Sequence, residues 1–156
     1  MRLVWISLAV VVVTVSGCTQ VARQGKVASK GAVVMPFDLE QTTHMFEKLD
    51  NGGLQQVIAD KPDDTEQITL IRQHLSEEAE RFALGDFHDP GMIHGEGMPG
   101  LHELMTGAEN IHIEYSEIPD GGQILYTTDE PELVQAVHAW FDAQLSDHGA
   151  HAVDHR

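Results

Sequence analysis

Two stretches of this sequence have the same turn-forming glycines and the same helix-starting proline at the same spacing: Asp50-Asn51-Gly52-Gly53 with Asp60-Lys61-Pro62, and Asp120-Gly121-Gly122 with Asp129-Glu130-Pro131. A constant offset of 69 residues superposes the two glycines, the following aspartate and the proline of each stretch. Asn-Gly and Asp-Gly favour hairpin turns because those turns need positive φ, and proline suits the first residue of a helix. Each stretch is therefore predicted to fold as strand, turn, strand and helix.

The residues around these turns carry the matching periodicities. Ile111, Ile113 and Tyr115 alternate with polar residues, as expected of a strand with one buried face. A first helix over 63–84 and a second over 131–147 repeat apolar residues at helical spacing: Ile68, Ile71, Leu75, Ala79 and Phe82, then Leu133, Val137, Trp140, Phe141 and Leu145. The sequence thus predicts an α+β fold in which two ββα units, an internal repeat, form a four-stranded antiparallel sheet. Both long helices are expected on one face, with a short helical insertion between the units.

The N-terminal segment is typical of export. A charged start, Met1-Arg2, precedes an apolar run over 3–15 that is too short to span a bilayer, which takes about 20 residues. Val15-Ser16-Gly17-Cys18 then resembles the lipobox of bacterial lipoproteins. The resemblance implies a signal peptide over 1–17, acylation of the Cys18 thiol, and an outer-membrane anchor facing the periplasm, because Thr19 rather than aspartate follows. An ordinary thiol in a plain signal peptide or in an uncleaved anchor helix is the alternative.

Composition limits the remaining chain. Residues 18–41 show no sustained period and are predicted to be a flexible tether, 42–149 a single ββα–ββα domain, and 150–156 a disordered tail containing histidine. Cys18 is the only cysteine, so no intrachain disulfide and no thiolate metal site is expected. Removing Arg2 from the 9 basic residues against 25 acidic ones leaves a formal charge of −17. That charge disfavours nucleic acid and anionic lipid headgroups and favours cations, although solubility alone also explains it.

Histidine and methionine are concentrated between the two units. The chain has 10 histidines and 6 methionines, and the glycine-rich connection over 85–109 contains His88, Met92, His94, Met98, His102 and Met105. Imidazole binds copper, zinc and nickel, whereas thioether favours Cu(I). An exported segment of this kind predicts a site for copper first and zinc second. The alternative is that Met98, Leu101, Leu104 and Met105 form the apolar face of a short helix, with solvated histidines.

Polar residues also interrupt the apolar faces of the two long helices. Glu78 and His74 flank the apolar arc of the first helix, and Gln144 and His148 lie within that of the second. Burying them unpartnered would cost a few kcal/mol each, so they are expected to meet one another, meet the connection or line a pocket. The predicted metal ligands are His74, Glu78, His94, Met98 and His148, with His88, His102 and His138 in reserve. His138 and Asp142 are predicted to be either a ligand and its positioning carboxylate or a surface pair.

Three functions remain open. The first is a lipid-anchored envelope protein that handles a metal ion. The second is a metal-free module that binds an envelope protein through the glycine-rich connection. The third is a small hydrolase or transferase using His74 and Glu78. Because Gly-x-Ser-x-Gly, Walker, Gly-x-Gly-x-x-Gly and His-Glu-x-x-His motifs are all missing from the sequence, an enzyme is the less favoured prediction.

Most of 42–149 also resembles a group of small exported bacterial proteins that genomes often label "aspartate carbamoyltransferase". The runs that carry the resemblance are Thr43-His44-Met45-Phe46, Leu70-Ile71-Arg72-Gln73-His74-Leu75, Gly85-Asp86-Phe87, Ile93-His94-Gly95, Met98-Pro99-Gly100-Leu101 and His138-Ala139-Trp140-Phe141-Asp142-Ala143-Gln144-Leu145-Ser146-Asp147-His148-Gly149. The Ser-Thr-Arg-Thr phosphate motif and the two α/β domains of the true transferases are missing. The resemblance therefore implies an intact folded domain and carries over no activity.

Overall fold

A computed structural model describes residues 16–154, with side chains described from Thr19 onward. Residues 1–15 of the predicted signal peptide (1–17) and the Cys18 side chain thus lie outside the described residues. The elements, in chain order, are α1 (Ser16–Val34), β1 (Thr42–Leu49), β2 (Gly52–Ala59), α2 (Thr65–Phe82), α3 (His88–His94), α4 (Leu101–Gly107), β3 (His112–Ile118), β4 (Gly121–Thr127), α5 (Pro131–His148) and β5 (Ala152–Asp154). The predicted α+β class is confirmed.

The sheet has five strands in the order β3-β4-β2-β1-β5, not the four that were predicted. β1 to β4 pair antiparallel, whereas β5 pairs parallel with β1 and makes the sheet mixed. This fifth strand lies where a disordered tail was predicted. Gly149, at φ +58°, reverses the chain after α5, and Ala152 is then buried beside His44.

The two hairpins have the same register under the 69-residue offset. Leu49 pairs with Gly52 in the first hairpin and Ile118 with Gly121 in the second, each across a two-residue loop. Between the hairpins, Gly52 pairs with Thr127 and Ile58 with Gly121. Under the 69-residue offset, Gly52 corresponds to Gly121 and Ile58 to Thr127, so each of these two pairs is the equivalent of the other. The pairing of β2 with β4 is therefore two-fold symmetric in register.

The repeated glycines act mainly through packing, which differs from the turn role predicted for them. Of the four, only Gly52 has a positive φ, +149°. A Cβ atom on Gly53 would lie 2.4 Å from the Phe141 ring, and one on Gly122 would lie 3.2 Å from Leu75 Cδ1. The missing side chains therefore allow α5 and α2 to lie close to the sheet.

Both long helices cover the same face of the sheet, as predicted. α5 begins at Pro131, whereas α2 begins at Thr65 with the Asp64 side chain as its N-cap, three residues after Pro62. The largest of the fully buried side chains are aromatic: Trp140, Tyr126, Phe46, Phe82, Phe87 and Phe141.

Residues 18–34 form a docked helix instead of the predicted tether. Val27 of α1 is buried, and Arg23 forms an ion pair with Asp147 of α5. Because only a narrow stripe of α1 contacts the domain, the sequence shows little apolar period, and good helix formers such as alanine, lysine and glutamine carry the rest. Within residues 16–154, no helix is both long and apolar enough to cross a membrane.

Candidate functional site

Four buried histidines surround a small cavity between the sheet and the helices. His44, His74, His94 and His148, called the histidine cluster below, come from β1, α2, α3 and α5 and are each less than 9% exposed. The cavity measures about 20 Å³, which is room for a single water molecule or ion. Its other lining residues are Met35, Phe37, Gln55, Leu75, Glu78, Pro90, Ile93, Trp140 and Gln144.

His148 lies at the centre of the histidine cluster. Its ring is stacked on that of His44, with centroids 4.8 Å apart and planes inclined by 16°. The ring of His94 meets it edge-on, with centroids 5.0 Å apart. His74 is reached through Phe37, whose ring lies 5.6 Å from that of His74 and 6.0 Å from that of His44.

Hydrogen bonds fix two of the four rings and leave one nitrogen without a hydrogen bond of good geometry. His94 Nδ1 donates to Asp147 Oδ2 at 3.0 Å, and Asp147 also pairs with Arg23. His148 Nε2 donates to Gln144 Oε1 at 3.2 Å. His44 Nδ1 is buried and lacks a hydrogen bond of good geometry among the described residues, although a hydrogen bond with the His151 backbone offsets part of the fall in the pKa of His44. Since an unsatisfied buried nitrogen is costly and His44 lines the cavity, this side chain is a candidate ligand.

Burial keeps the histidine cluster neutral at pH 7. It lowers the pKa of His44 to about 4, aided by repulsion from the neighbouring histidines, and lowers the pKa of His74 and His94. Burial likewise depresses the pKa of His148. Burial alone would raise the pKa of Asp147, but the combined hydrogen bonds from Arg23 and His94 outweigh it and leave the pKa of this carboxyl lowered.

Glu78 has the opposite shift. Burial, with a smaller contribution from Asp89, raises the pKa of Glu78 to about 8. His74 Nε2 lies 3.8 Å from Glu78 Oε1. Because the pKa of His74 is lowered and that of Glu78 raised, this contact is a pair of neutral groups at pH 7 rather than a salt bridge. The cluster therefore offers uncharged nitrogen donors beside a carboxyl that can release a proton.

The structure gathers four of the five predicted metal ligands and excludes the fifth. His74, Glu78, His94 and His148 line the same cavity. Met98 does not line it, because its side chain is packed in the hydrophobic core with Leu101 and Leu104. Of the residues in the alternative interpretation, Met98, Leu101 and Leu104 are buried, but Met98 precedes α4 and Met105 is 46% exposed.

The reserve histidines lie elsewhere. His88 and His102 are exposed on a separate cavity. His138 Nε2 contacts the carbonyl oxygens of Leu49 and Gly52, 2.9 Å from each. Asp142 pairs with Lys48 instead of His138. His138 thus ties α5 to the first hairpin, and its predicted positioning by Asp142 is wrong.

Two important residues were missed as site residues from the sequence. His44 lies between Thr42 and Phe46 on the inner face of β1, so the period of two along the strand gave a usable signal for its burial. Asp147 corresponds to Glu78 under the 69-residue offset, which places a carboxyl near the end of each long helix. Its contact with His94 depends on the position of α3, for which the sequence has no signal.

The histidine cluster lies between two surface cavities. His74 also lines a cavity of about 510 Å³ that carries Glu77, Glu80, Arg81 and Asp89. His148 also lines a cavity of about 290 Å³ beneath α1. The lining of the first of these surface cavities is predominantly acidic.

The donor atoms of the cluster are close but not yet convergent. Within the described residues, no three His, Cys, Asp or Glu side chains are already placed to hold a metal ion. The stacked rings of His44 and His148 explain this, since parallel rings do not direct their nitrogens at one point.

Comparison of the chain with protein-family models, with curated proteins and with solved structures finds no match.

Proposed function

We propose that this chain is a lipid-anchored bacterial envelope protein that binds one transition-metal ion at the histidine cluster for metal handling. The observation that carries the proposal is that four neutral imidazoles line one ion-sized cavity, one of them with a buried nitrogen that lacks a good hydrogen bond. Neutral histidines bind metal without first losing a proton, so burial favours binding at pH 7.

The donor set indicates which ions are favoured. Imidazole suits Zn²⁺, Cu²⁺ and Ni²⁺, and Glu78 adds a carboxyl oxygen. Met98 lies outside the cavity, so Met35 is the methionine among its lining residues. Because four imidazoles and one carboxyl stand against one thioether, we place Zn²⁺ and Cu²⁺ before Cu(I) at the histidine cluster.

The contact between His94 and Asp147 supports a metal-binding role. Histidine ligands usually donate their second ring N–H to a carboxylate, which fixes the tautomer and makes the other nitrogen a better donor. Asp147 accepts from His94 Nδ1, so Nε2 is the nitrogen left for a metal ion. The ion pair with Arg23 keeps Asp147 charged and in place.

The two alternative functions receive less support. The cavity of about 20 Å³ that His74 and Glu78 both line leaves no room for an organic substrate, and the surface cavity of about 510 Å³ is lined by His74 but not by Glu78. This argues against the small hydrolase or transferase. For the metal-free interaction module, no contact or cavity in residues 16–154 indicates a particular envelope partner.

We also propose that the two ββα segments are an internal repeat. The common hairpin registers and the symmetric pairing of β2 with β4 support it. Under the same offset, Glu78 and Asp147 are equivalent, so the two carboxyl groups beside the histidine cluster would descend from one ancestral position. The metal site would then combine corresponding ends of both halves with α3.

Titration of the purified full chain tests the metal site. The protein, held in detergent and freed of metal by a chelator, is titrated with Zn²⁺ and Cu²⁺ against a competing indicator. One ion is expected per chain, and His44→Gln and His94→Gln are expected to weaken binding by about 10-fold or more. His112→Gln is the control, because His112 is exposed on β3 away from the cavity. Binding no tighter than about 10 μM, or equal affinities in all variants, would contradict the proposal.

The anchor is tested separately. Mass spectrometry of the N-terminal peptide is expected to show an acylated Cys18 as the first residue. Cys18→Ser is expected to move the protein out of the membrane fraction while metal binding persists. An unmodified Cys18 in membrane-associated protein would contradict the lipoprotein assignment without affecting the metal site.

A further inference from the structure

A second group of soft metal donors lies on another face of α3. Pro90, Ile93 and His94 of this helix line the buried cavity, whereas His88 and Met92 are exposed and line a different one. The same short helix therefore borders both spaces and shares no lining side chain between them.

Two helices bring these donors together. His88 and Met92 are four residues apart in α3, and His102 and Met105 are three apart in α4. Both spacings place the imidazole and the thioether of a pair on one helix face. All four side chains line one open cavity of about 540 Å³ between the helices.

Both methionines of this cavity are exposed. Met92 is 47% exposed and Met105 is 46% exposed, while Met98 between them in sequence is buried. Exposed apolar side chains that share a cavity often mark a binding site. Here the cavity combines two thioethers with two imidazoles, and thioether is the protein donor that selects Cu(I).

The charge around the cavity favours a cation. Asp86 and Glu96 line it, and Asp86 Oδ1 also accepts a hydrogen bond from the backbone N–H of His88 at 3.0 Å. Lys30 contacts Met92 only through the carbonyl oxygen, at 3.0 Å, and does not line the cavity. Carboxylates at the rim of a cleft raise the local concentration of cations.

We propose that His88, Met92, His102 and Met105 form a surface site for Cu(I), separate from the histidine cluster. The site keeps the metal accessible to solvent, which suits capture and release better than storage. It does not depend on the function proposed above, because none of its ligands lines the buried cavity.

The test is a Cu(I) titration of the full chain in detergent, without oxygen, against a chromophoric Cu(I) chelator. Met92→Leu/Met105→Leu removes both sulfurs but keeps side-chain volume and helix propensity. It is expected to weaken Cu(I) binding by about 10-fold or more and to leave Zn²⁺ binding unchanged. His88→Gln/His102→Gln is expected to weaken Cu(I) binding in the same way. Met45→Leu is the matched control, because Met45 lies on the outer face of the sheet, away from this cavity.

X-ray absorption at the copper edge gives an independent readout. The wild-type protein loaded with one Cu(I) is expected to show sulfur neighbours that disappear in Met92→Leu/Met105→Leu. Unchanged Cu(I) affinity in that variant, or copper with nitrogen and oxygen neighbours alone, would overturn the proposal. Loss of Cu(I) binding in His44→Gln but not in Met92→Leu/Met105→Leu would also overturn it, by assigning the copper to the buried cluster.

Discussion

The Nδ1 atom of His94 lies 3.0 Å from Oδ2 of Asp147, and this contact joins α3 to the end of α5 beside the proposed metal site. Asp147 is almost fully buried and also accepts from Arg23 Nη2 at 2.8 Å. A carboxylate in this position holds one tautomer of the imidazole, with Nε2 free to bind.

Asp147→Asn is therefore expected to weaken Zn²⁺ binding by about 10- to 100-fold, because the amide holds the His94 tautomer less firmly. Competition titration at pH 7.5 measures the loss. Asp142→Asn, on an exposed position of the same helix, is the matched control and should keep the wild-type affinity. If the two variants lost affinity equally, Asp147 would have no special role in positioning His94.

Glu78 is expected to destabilise the metal-free protein at neutral pH. Its folded pKa of about 8 is above the ordinary 4.5, so the unfolded chain releases the proton first. Stability is then lost as the pH rises from about 4.5 to about 8. Glu78→Gln mimics the protonated form and should raise the free energy of unfolding at pH 7 by about 3 kcal/mol.

Urea denaturation in the presence of a chelator tests this at pH 5 and pH 7. The gain in stability should be small at pH 5 and large at pH 7. Glu80→Gln, a change at an exposed residue two positions after Glu78 on α2, should show no such pH dependence. A Glu78→Gln protein that was less stable than wild type at pH 7 would show that the carboxyl is held by contacts stronger than its burial cost.

His44 is expected to weaken the fold in acid. Its folded pKa of about 4 lies below the ordinary 6.5, so only the unfolded chain takes up the proton between these values. Stability is fully present above pH 6.5 and is lost as the pH falls toward 4, by about 1.4 kcal/mol per pH unit from this residue. His74, His94 and His148 shift in the same direction and add to the loss.

Denaturation of the metal-free protein at several values between pH 4.5 and 6.5 measures that slope. His44→Gln should reduce the slope by the amount that corresponds to uptake of one proton, about 1.4 kcal/mol per pH unit, even if the variant is less stable throughout. His112→Gln should keep the wild-type slope, since this side chain is exposed. Equal slopes in wild type and His44→Gln would show that His44 titrates normally in the folded protein.

The sequence predicted the parts of the fold that depend on local periodicity. The apolar spacing of Leu133, Val137 and Phe141 located α5, and the paired glycines located both hairpins. The reason for the glycines was misjudged, because the close approach of Phe141 to Gly53 is a tertiary contact. A tight turn and a closely packed helix both favour glycine, so the sequence could not tell which of the two reasons applied.

Residues of the candidate site could be predicted only where a polar residue interrupts the apolar face of a helix. His74, Glu78 and His148 stood out on helix faces for that reason, and the structure gathers them on one cavity. Met98 was an equally suitable metal donor by residue type, but its side chain lies in the hydrophobic core, just before α4. His44 looked ordinary, because a single histidine in a short strand does not reveal what lies opposite it.

The docking of α1 supplies the last prediction. Val27 is 4% exposed and anchors the helix to the domain, whereas Val33 in the same helix is 83% exposed. Val27→Asp places a charge in that contact and should release α1, whereas Val33→Asp should leave it docked. Limited trypsin digestion of the full chain in detergent, followed by mass spectrometry, reads this directly. Cleavage after Arg23, Lys26 and Lys30 should be slow in wild type and Val33→Asp, and fast in Val27→Asp. Rapid cleavage of the wild-type protein at all three sites would instead restore the flexible tether that the sequence alone suggested.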